Sequence, residues 1–206
     1  MAPGGYLTSK TTIDAYNRIA HEYANTHWSV HFWDRQYNEF EGLLRGKHLL
    51  DAGSGAGRDT RHFISKGYDV VSVDASSGIV DEARKRVPEG NFMEMDMTDM
   101  KFADGEFDGV WCCASLLHLD DAEEGKALSE FKRVLKDGGI LFVSVKLGSG
   151  EVIEKRPGGV ERYFRNYGVG EIRDIISRYF RVLDVYTHSD KEGETWISVF
   201  GSKTDL

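Results

Sequence analysis

The chain has 206 residues, of which 40% are hydrophobic and 29% are charged, and its formal net charge at pH 7 is -8. This composition is typical of a globular protein with one well-filled core. The negative charge disfavours nucleic acid or an anionic membrane as a partner, because either would need clustered cations. No apolar run approaches the roughly 20 residues of a membrane span, and the first residues lack the charged start and apolar stretch of a secretory signal. We therefore expect a cytoplasmic protein without a membrane partner.

Residues 8–45 are rich in aromatic side chains and have the periodicity of helices. Apolar side chains recur at helical spacing at Ile13, Tyr16, Ile19, Ala20 and Tyr23, and a second helix is expected over 33–44. His27 and His31 are four residues apart, as two metal ligands on one helix face would be. Because no acidic residue stands between them, we expect no metal, and we assign His27 and Trp28 to a substrate pocket or to packing.

A glycine-rich stretch, Leu49 to Thr60, predicts a strand, a tight turn and the start of a helix. The apolar run ends in Asp51, and glycines follow at positions 53, 55 and 57. Glycine permits backbone angles closed to other residues and lets a ligand approach the main chain, while the first helix amides face a polar or anionic group. A dinucleotide fingerprint would need a third glycine where Arg58 stands. An ordinary glycine-rich turn is the alternative.

A second apolar run, Tyr68 to Asp74, ends in a carboxylate 23 residues past Asp51. This spacing suits the helix and the returning strand of one βαβ unit. The two oxygens of a carboxylate can accept both hydrogen bonds of a ribose diol. Alternatively, Asp74 only caps the helix that follows it.

The D-x-G-x-G-x-G loop with Asp74 resembles motif I and the next acidic position of the class I S-adenosylmethionine (SAM) dependent methyltransferases. In that family the loop wraps the amino-acid part of SAM, and the acidic residue binds its ribose. The segment Met95-Asp96-Met97 is similar to the family position that contacts adenine. The resemblance implies SAM as cofactor and S-adenosylhomocysteine as product. It implies that they are held by Asp51, Gly53, Ser54, Gly55, Gly57, Arg58, Asp74, Ala75, Asp96, Met97 and Ala114.

The resemblance also suggests catalytic candidates. His118 follows an apolar strand expected over 107–114, and ligands bind beyond the carboxyl ends of parallel strands; it would act there as a base or only in packing and orientation. In the pattern Tyr16-x-x-x-Ala20-x-x-Tyr23, the second tyrosine approaches the cofactor in the family, although both tyrosines could simply anchor the helix. A hydroxyl acceptor would need a base, for which His118, Tyr23 and His27 are the candidates. A softer acceptor would need none.

Alternating helices and strands predict an α/β fold. Helices are expected over 58–66, 76–87 and 121–135, a turn over 136–139, and strands over 68–74, 91–95, 107–114, 140–145, 181–187 and 195–201. The last two strands form a hairpin. We predict a Rossmann-like, seven-stranded, mostly parallel sheet with a C-terminal antiparallel hairpin and an N-terminal helical cap. Cys112 and Cys113 would face opposite sides of their strand, which disfavours a structural disulfide or a shared metal site.

We expect a single methyltransferase domain over 1–206, with a cap (1–46), a SAM-binding core (47–147), a lid insert (148–170) and a last helix with the hairpin (171–206). The insert carries Arg156, Arg162 and Arg165 among aromatic residues. These arginines would either recognise an anionic or aromatic acceptor or pair with surface carboxylates.

The resulting interpretation is a methyl transfer from SAM to a small-molecule acceptor that the sequence does not identify. A SAM-binding sensor or allosteric subunit without transferase activity is the alternative from another class. The opening cap is also similar to that of tRNA-modifying methyltransferases, although the negative charge makes nucleic acid unlikely as a partner. A nicotinamide oxidoreductase is opposed by the glycine spacing. The oligomeric state stays open.

Overall fold

The computed structural model describes residues 9–26, 28, 31–191 and 193–204. Its helices are α1 (Ser9–Thr26), α2 (Asp34–Leu43), α3 (Arg58–Ser65), α4 (Ser77–Arg86), α5 (Asp121–Val134) and α6 (Val169–Ser177), with 3-10 turns at His31–Trp33 and Leu116–His118. Its strands are β1 (His48–Ala52), β2 (Asp69–Asp74), β3 (Asn91–Glu94), β4 (Phe107–Cys113), β5 (Leu135–Lys146), β6 (Gly150–Arg156), β7 (Val160–Asn166), β8 (Arg181–Ser189) and β9 (Thr195–Ser202). No helix in these ranges is both long enough and apolar enough to span a bilayer.

The main sheet has seven strands in the order β3-β2-β1-β4-β5-β9-β8. Strands β1 to β5 are parallel to one another, and β9 runs antiparallel to both β5 and β8. This arrangement confirms the predicted fold class. The strand order reverses between β1 and β4, so the loops after these strands open a crevice at their carboxyl ends, where ligands of such sheets bind.

Helices cover both faces of the sheet, and alternate residues of β4 pack against the helices on opposite faces. Val110 and Cys112 pack into the cluster that includes α5 and α6, whereas Trp111 and Cys113 pack with α2 and α3. Neighbouring strand residues point to opposite faces. The two cysteines are therefore on opposite sides, and both are buried free thiols.

The turn expected over 136–139 is wrong, because these residues continue β5. Leu135 already pairs with Phe107 of β4, and the register then shifts before the regular ladder begins. Gly138 has a φ of +74°. Its N–H donates to the carbonyl of Lys203 at 2.7 Å. The left-handed glycine gives a bulge in the strand, so the chain stays paired where the sequence indicated a reversal.

The expected lid insert contains the antiparallel pair β6–β7, which lies against α1. The N–H of Tyr163 donates to Thr12 Oγ1 at 3.1 Å, and Arg18 donates to the carbonyl of Gly158 at 2.6 Å. Val160 packs with Ala15 and Ile19 of α1. The first helix and the hairpin are thus joined to each other by both polar and apolar contacts.

Candidate active site

The loop between β1 and α3 places bare main chain at the crevice. Gly53 has a φ of +74° and Gly55 a φ of +54°, a region that L side chains rarely adopt. A Cβ on Gly53 would lie 1.8 Å from Ser115 Oγ in the turn after β4, whereas a Cβ on Gly57 would lie 2.8 Å from the Phe92 ring. Glycine is therefore required at position 53 because Ser115 leaves no room for a side chain, and at position 57 because the Phe92 ring packs against it.

Asp74, at the end of β2, lies beside this loop. Its Oδ2 accepts a hydrogen bond from the N–H of Gly55 at 3.0 Å, and its Oδ1 accepts one from the N–H of Ser76 at 2.9 Å. Helix α4 is capped by Ser76, whose hydroxyl accepts from the N–H of Ile79. Desolvation raises the pKa of Asp74 to about 6. Each carboxylate oxygen still has a lone pair with which to accept a second donor.

A first cleft of about 760 Å³ opens where β1, β2 and β4 end. Several predicted site residues from distant parts of the chain line it together: Tyr23, Gly53, Gly55, Asp74, Ala75, Asp96, Met97, Ala114 and His118. Thr12, Ile13 and Tyr16 of α1 also line it, so the helical cap forms part of its wall.

A second cleft of about 710 Å³ begins at the same glycine loop. It shares Tyr23, Gly53, Gly55, Cys113 and Ala114 with the first cleft. The rest of its wall is formed by Phe32, Trp33, Ser54, Ala56, Arg58, Asp59, Asp190 and Trp196. The two clefts therefore meet at the glycine loop and at the end of β4.

Two predicted cofactor residues, Asp51 and Gly57, are not among the residues that line either cleft. The Asp51 carboxylate is buried and accepts a hydrogen bond from Thr60 Oγ1 at 2.7 Å. Burial, together with the neighbouring Asp59 carboxylate, raises the pKa of Asp51. Asp51 thus lies below the loop, against the start of α3.

The predictions for the histidine pair lie partly outside the described residues. His27 and the side chain of His31 belong to the undescribed part of the chain, so the expected role of His27 stays a prediction. Trp28 packs near Val80, Ala83 and the guanidinium of Arg61, whose centre lies 4.3 Å from its ring centroid. Within the described ranges, no three His, Cys, Asp or Glu side chains cluster as a metal site would require.

Arg58 and Asp59 form a buried ion pair at the start of α3. Arg58 donates through Nε to Asp59 Oδ1 at 2.5 Å and through Nη2 to Oδ2 at 2.9 Å. Asp59 also accepts from Trp111 Nε1 at 2.8 Å and from the Tyr37 hydroxyl at 2.5 Å. Although burial opposes it, the Arg58 guanidinium holds the pKa of Asp59 below its ordinary value. The pair fixes the position of Arg58 in the wall of the second cleft.

His118 has hydrogen-bond partners at both ring nitrogens. Nδ1 lies 2.8 Å from the carbonyl of Tyr163, which can only accept, so Nδ1 carries the proton and Nε2 accepts from the Tyr16 hydroxyl at 2.9 Å. Arg162 in turn donates to the Tyr16 oxygen at 3.0 Å. Desolvation lowers the pKa of His118 to about 4, so the ring is neutral near pH 7. In this arrangement His118 orients Tyr16, and neither nitrogen is free to take a substrate proton.

Tyr23 separates the two clefts. Its ring packs edge-to-face on Tyr16 with centroids 5.2 Å apart, and a Cβ on Gly55 would lie 3.5 Å from it. Desolvation raises the pKa of Tyr23 to about 12. At neutral pH the side chain is therefore a phenol, which suits it to donate a hydrogen bond rather than to act as a base.

The three insert arginines lie against carboxylates. Arg162 donates to Glu154 Oε2 at 2.7 Å through Nε, and Arg165 donates to Glu171 Oε1 at 2.8 Å. Arg156 lies 3.4 Å from the same Glu154 oxygen. The sequence left this pairing open, and the contact of Arg162 with the Tyr16 hydroxyl was not predicted because it joins residues far apart in the chain. The aromatic wall of the second cleft was not predicted either, since Trp33 and Trp196 meet only in the folded chain.

Comparisons with known proteins agree with this geometry. Residues 50–143 match the family model described as "Methyltransferase domain". The solved 1,6-didemethyltoxoflavin-N1-methyltransferase of Burkholderia thailandensis, with bound 1,6-didemethyltoxoflavin and S-adenosylhomocysteine, superposes with a TM-score of 0.80 at 20% identity, covering 100% of this chain and 93% of that one. The chain has the class I methyltransferase fold.

Curated relatives match the methyltransferase domain at higher identity but over less of their length. A demethylmenaquinone methyltransferase of Beutenbergia cavernae is 38% identical over 112 residues, which are 54% of this chain and 46% of the relative. The O-methyltransferase rstn1 of Aspergillus nomiae is 30% identical over 118 residues, which are 53% of this chain and 51% of the relative. The chain thus spans about half the length of these relatives.

Proposed function

We propose that this protein transfers a methyl group from SAM to a small-molecule acceptor. The observation that carries the proposal is the first cleft, where the glycine loop, Asp74 and the pair Asp96 and Met97 lie around one space. These stretches are separated in the sequence and come together only in the folded chain. Their meeting at the strand-order reversal supports a nucleoside-containing cofactor.

The residues that line the clefts fit SAM in polarity as well as in position. Asp74 has two oxygens, each with acceptor capacity left, for the ribose diol. Asp96 and Met97 would hold the adenine, as the family resemblance implies. The main chain of Gly53 and Gly55 would lie along the amino-acid part.

Ser54 and Arg58 complete the polar end of the proposed cofactor site. Ser54 is 8% exposed, and its hydroxyl finds no hydrogen-bond partner among the described residues. A buried hydroxyl without a partner is costly, and a polar ligand group at the loop would satisfy it. Arg58 supplies a cation in the same wall of the second cleft for the carboxylate of SAM.

When bound, SAM supplies a methyl group that its sulfonium has already activated. The chain therefore has to align the acceptor and to exclude water, and alignment alone lowers such barriers by roughly 7–11 kcal/mol. We assign the exclusion of water to α1 and the β6–β7 hairpin, which belong to the segments expected above to form a cap and a lid. Their contacts support it, because α1 lines the first cleft and the hairpin is joined to α1 through Tyr16, Thr12 and Arg18.

The proposed reaction needs no proton transfer to His118. Its two nitrogens bond to Tyr163 and Tyr16, which supports a positioning role. Tyr23 lines both clefts and stays protonated near neutral pH, so it is suited to orient a polar atom between cofactor and acceptor. Acceptors that are nucleophilic without a protein base fit this arrangement best.

Methyl-labelled SAM tests the proposal. The purified protein would be incubated with tritiated SAM and a protein-free small-molecule extract, and label would be followed into compounds other than SAM. We expect labelled products with the wild-type chain and strongly reduced labelling with Asp74→Asn at subsaturating SAM. If SAM binds but no extract yields a labelled product, the sensor or allosteric alternative replaces the transferase.

A further inference from the structure

The second cleft has a wall of aromatic rings that the proposed cofactor site does not use. Phe32 and Trp33 pack edge-to-face with centroids 4.7 Å apart, and Trp33 and Trp196 do the same at 5.8 Å. All three residues line this cleft, and Tyr23 lines both clefts. These rings are large apolar surfaces, and two of them, Phe32 and Trp196, are only partly buried.

Neighbouring side chains hold the two indoles in place. Trp33 is 2% exposed and packs edge-to-face on Phe142 at 6.5 Å between centroids. The Trp196 Nε1 donates to Asp190 Oδ2 at 3.4 Å, and the Lys146 ammonium lies 5.6 Å from a Trp196 ring centroid. Rings held by such contacts lose little freedom when a ligand arrives, which favours a preformed site.

The charges along this wall favour an uncharged ligand. Arg58 is the cation among the described residues that line this cleft, and with the cofactor bound it would face both Asp59 and the carboxylate of SAM, which leaves no positive charge for an anionic acceptor. Asp190 lies at the same wall and accepts hydrogen bonds from Trp196 and from the main chain of Glu194. An anionic ligand would meet carboxylates that are already present, whereas a neutral ring would meet aromatic faces and edges.

We propose that the second cleft is the acceptor site and that it takes an uncharged, planar aromatic or heteroaromatic molecule, held against Phe32, Trp33 and Trp196. This assignment rests on the proposed function, since it takes the first cleft and the glycine loop to be filled by the cofactor. Because the two clefts share Gly53 and Gly55, a ring in the second cleft would lie next to the loop along which the cofactor is proposed to bind. The site thus selects acceptors by flatness and π character.

The test uses the full chain saturated with S-adenosylhomocysteine, so that only the acceptor site remains open. Calorimetric titrations would compare 2-naphthol, 8-hydroxyquinoline and lumazine, which are planar, with decahydro-2-naphthol, a saturated molecule of similar size with the same hydroxyl. We expect at least one planar probe to bind, at least tenfold more tightly than the saturated one. Trp196→Leu, which keeps an apolar side chain without a π face, should weaken that probe at least fivefold. Tyr179→Leu serves as the matched control, because Tyr179 is not among the residues lining either cleft.

Each result decides a separate point. Equal binding of the planar and saturated probes, or failure of all planar probes while S-adenosylhomocysteine binds, would overturn the aromatic acceptor site and leave the cofactor assignment intact. Equal weakening by Trp196→Leu and Tyr179→Leu would also overturn it, because the effect would then be general. Loss of S-adenosylhomocysteine binding in the wild-type chain would instead contradict the proposed function. Trp196→Tyr, which restores a ring, should recover much of the affinity and so separates recognition from misfolding.

Discussion

Tyr16 Oη and His118 Nε2 lie 2.9 Å apart, in a hydrogen bond that joins α1 to the turn after β4. Arg162 of β7 donates to the same hydroxyl. One phenol therefore connects α1, the turn after β4 and the β6–β7 hairpin.

Replacing Tyr16 by phenylalanine should destabilise the fold. The change leaves the ring but removes the acceptor of the buried Arg162 and the donor to His118. Hydrogen bonds to charged groups are worth about 1.5–3 kcal/mol, and we expect the free energy of unfolding to fall by that amount in urea titrations. Tyr179→Phe is the control and should change it by less than about 0.5 kcal/mol. A Tyr16→Phe protein as stable as the wild type would refute the role of this contact.

The stability of the protein should depend on pH through His118. The folded pKa is about 4, below the ordinary value of 6.5, so between these values the unfolded chain binds the proton and the folded chain does not. Stability contributed by the neutral ring is complete above pH 6.5 and is lost as the pH falls toward 4. Urea unfolding at pH 7 and at pH 4.5 measures this effect. Between these two pH values, the free energy of unfolding of His118→Asn should fall by about 2 kcal/mol less than that of the wild type. The same pH dependence in both proteins would place the titrating group elsewhere.

Asp74→Asn should weaken the binding of S-adenosylhomocysteine by roughly 10- to 100-fold. The amide retains the shape of the carboxylate but replaces one acceptor by a donor, at a cost of about 1.5–3 kcal/mol for a charge-assisted bond. Calorimetry measures the change. Asp99→Asn is the matched control, since that exposed carboxylate pairs with Lys101 and is not among the lining residues of the first cleft. Unchanged affinity in Asp74→Asn would mean that the ribose contact is misplaced.

Cofactor affinity should itself depend on pH. Desolvation raises the pKa of Asp74 to about 6, and the ribose hydroxyls need the ionised form as acceptor. Affinity should therefore be constant above this pKa and should fall by up to about tenfold per pH unit below it. Asp74→Asn should remove this dependence, and a wild-type profile that is flat between pH 5 and pH 7 would contradict the assignment.

Gly53→Ala should be strongly destabilising, because its Cβ would lie 1.8 Å from Ser115 Oγ at a φ of +74°. We expect a loss of more than about 2 kcal/mol in thermal or urea unfolding. Gly193→Ala has a comparable φ of +89° with no atom within 4 Å, and should cost only about 1–2 kcal/mol of backbone strain. Adding Ser115→Gly to Gly53→Ala should restore the part of the stability that is lost to the clash with the Ser115 side chain. No recovery would show that strain alone explains the requirement for glycine.

The features that were predictable from the sequence are local ones. The order of strands and helices follows from apolar periodicity, and the position of Asp74 follows from the length of one βαβ unit. Both features could therefore be predicted from the sequence. The turn Pro157-Gly158-Gly159 between β6 and β7 was a usable hairpin signal within the insert, although it was not recognised as one.

The features that were not predictable depend on which side chains meet in the folded chain. Tyr16 and Arg162 are 146 residues apart, and Trp33 and Trp196 are separated by most of the chain. Asp51 belongs to the glycine motif, but its side chain meets Thr60 below the loop because β1 directs it there. A motif identifies the loop, whereas the fold decides which of its side chains reach the cleft.

The most direct test of the central claim is a calorimetric titration of the purified chain with SAM, S-adenosylhomocysteine and NADH. The geometry of the glycine loop and Asp74 predicts that the first two bind, with dissociation constants on the order of micromolar, and that NADH does not. Absence of binding by both SAM and its product, or binding of NADH alone, would contradict the assignment of the first cleft and the function proposed from it.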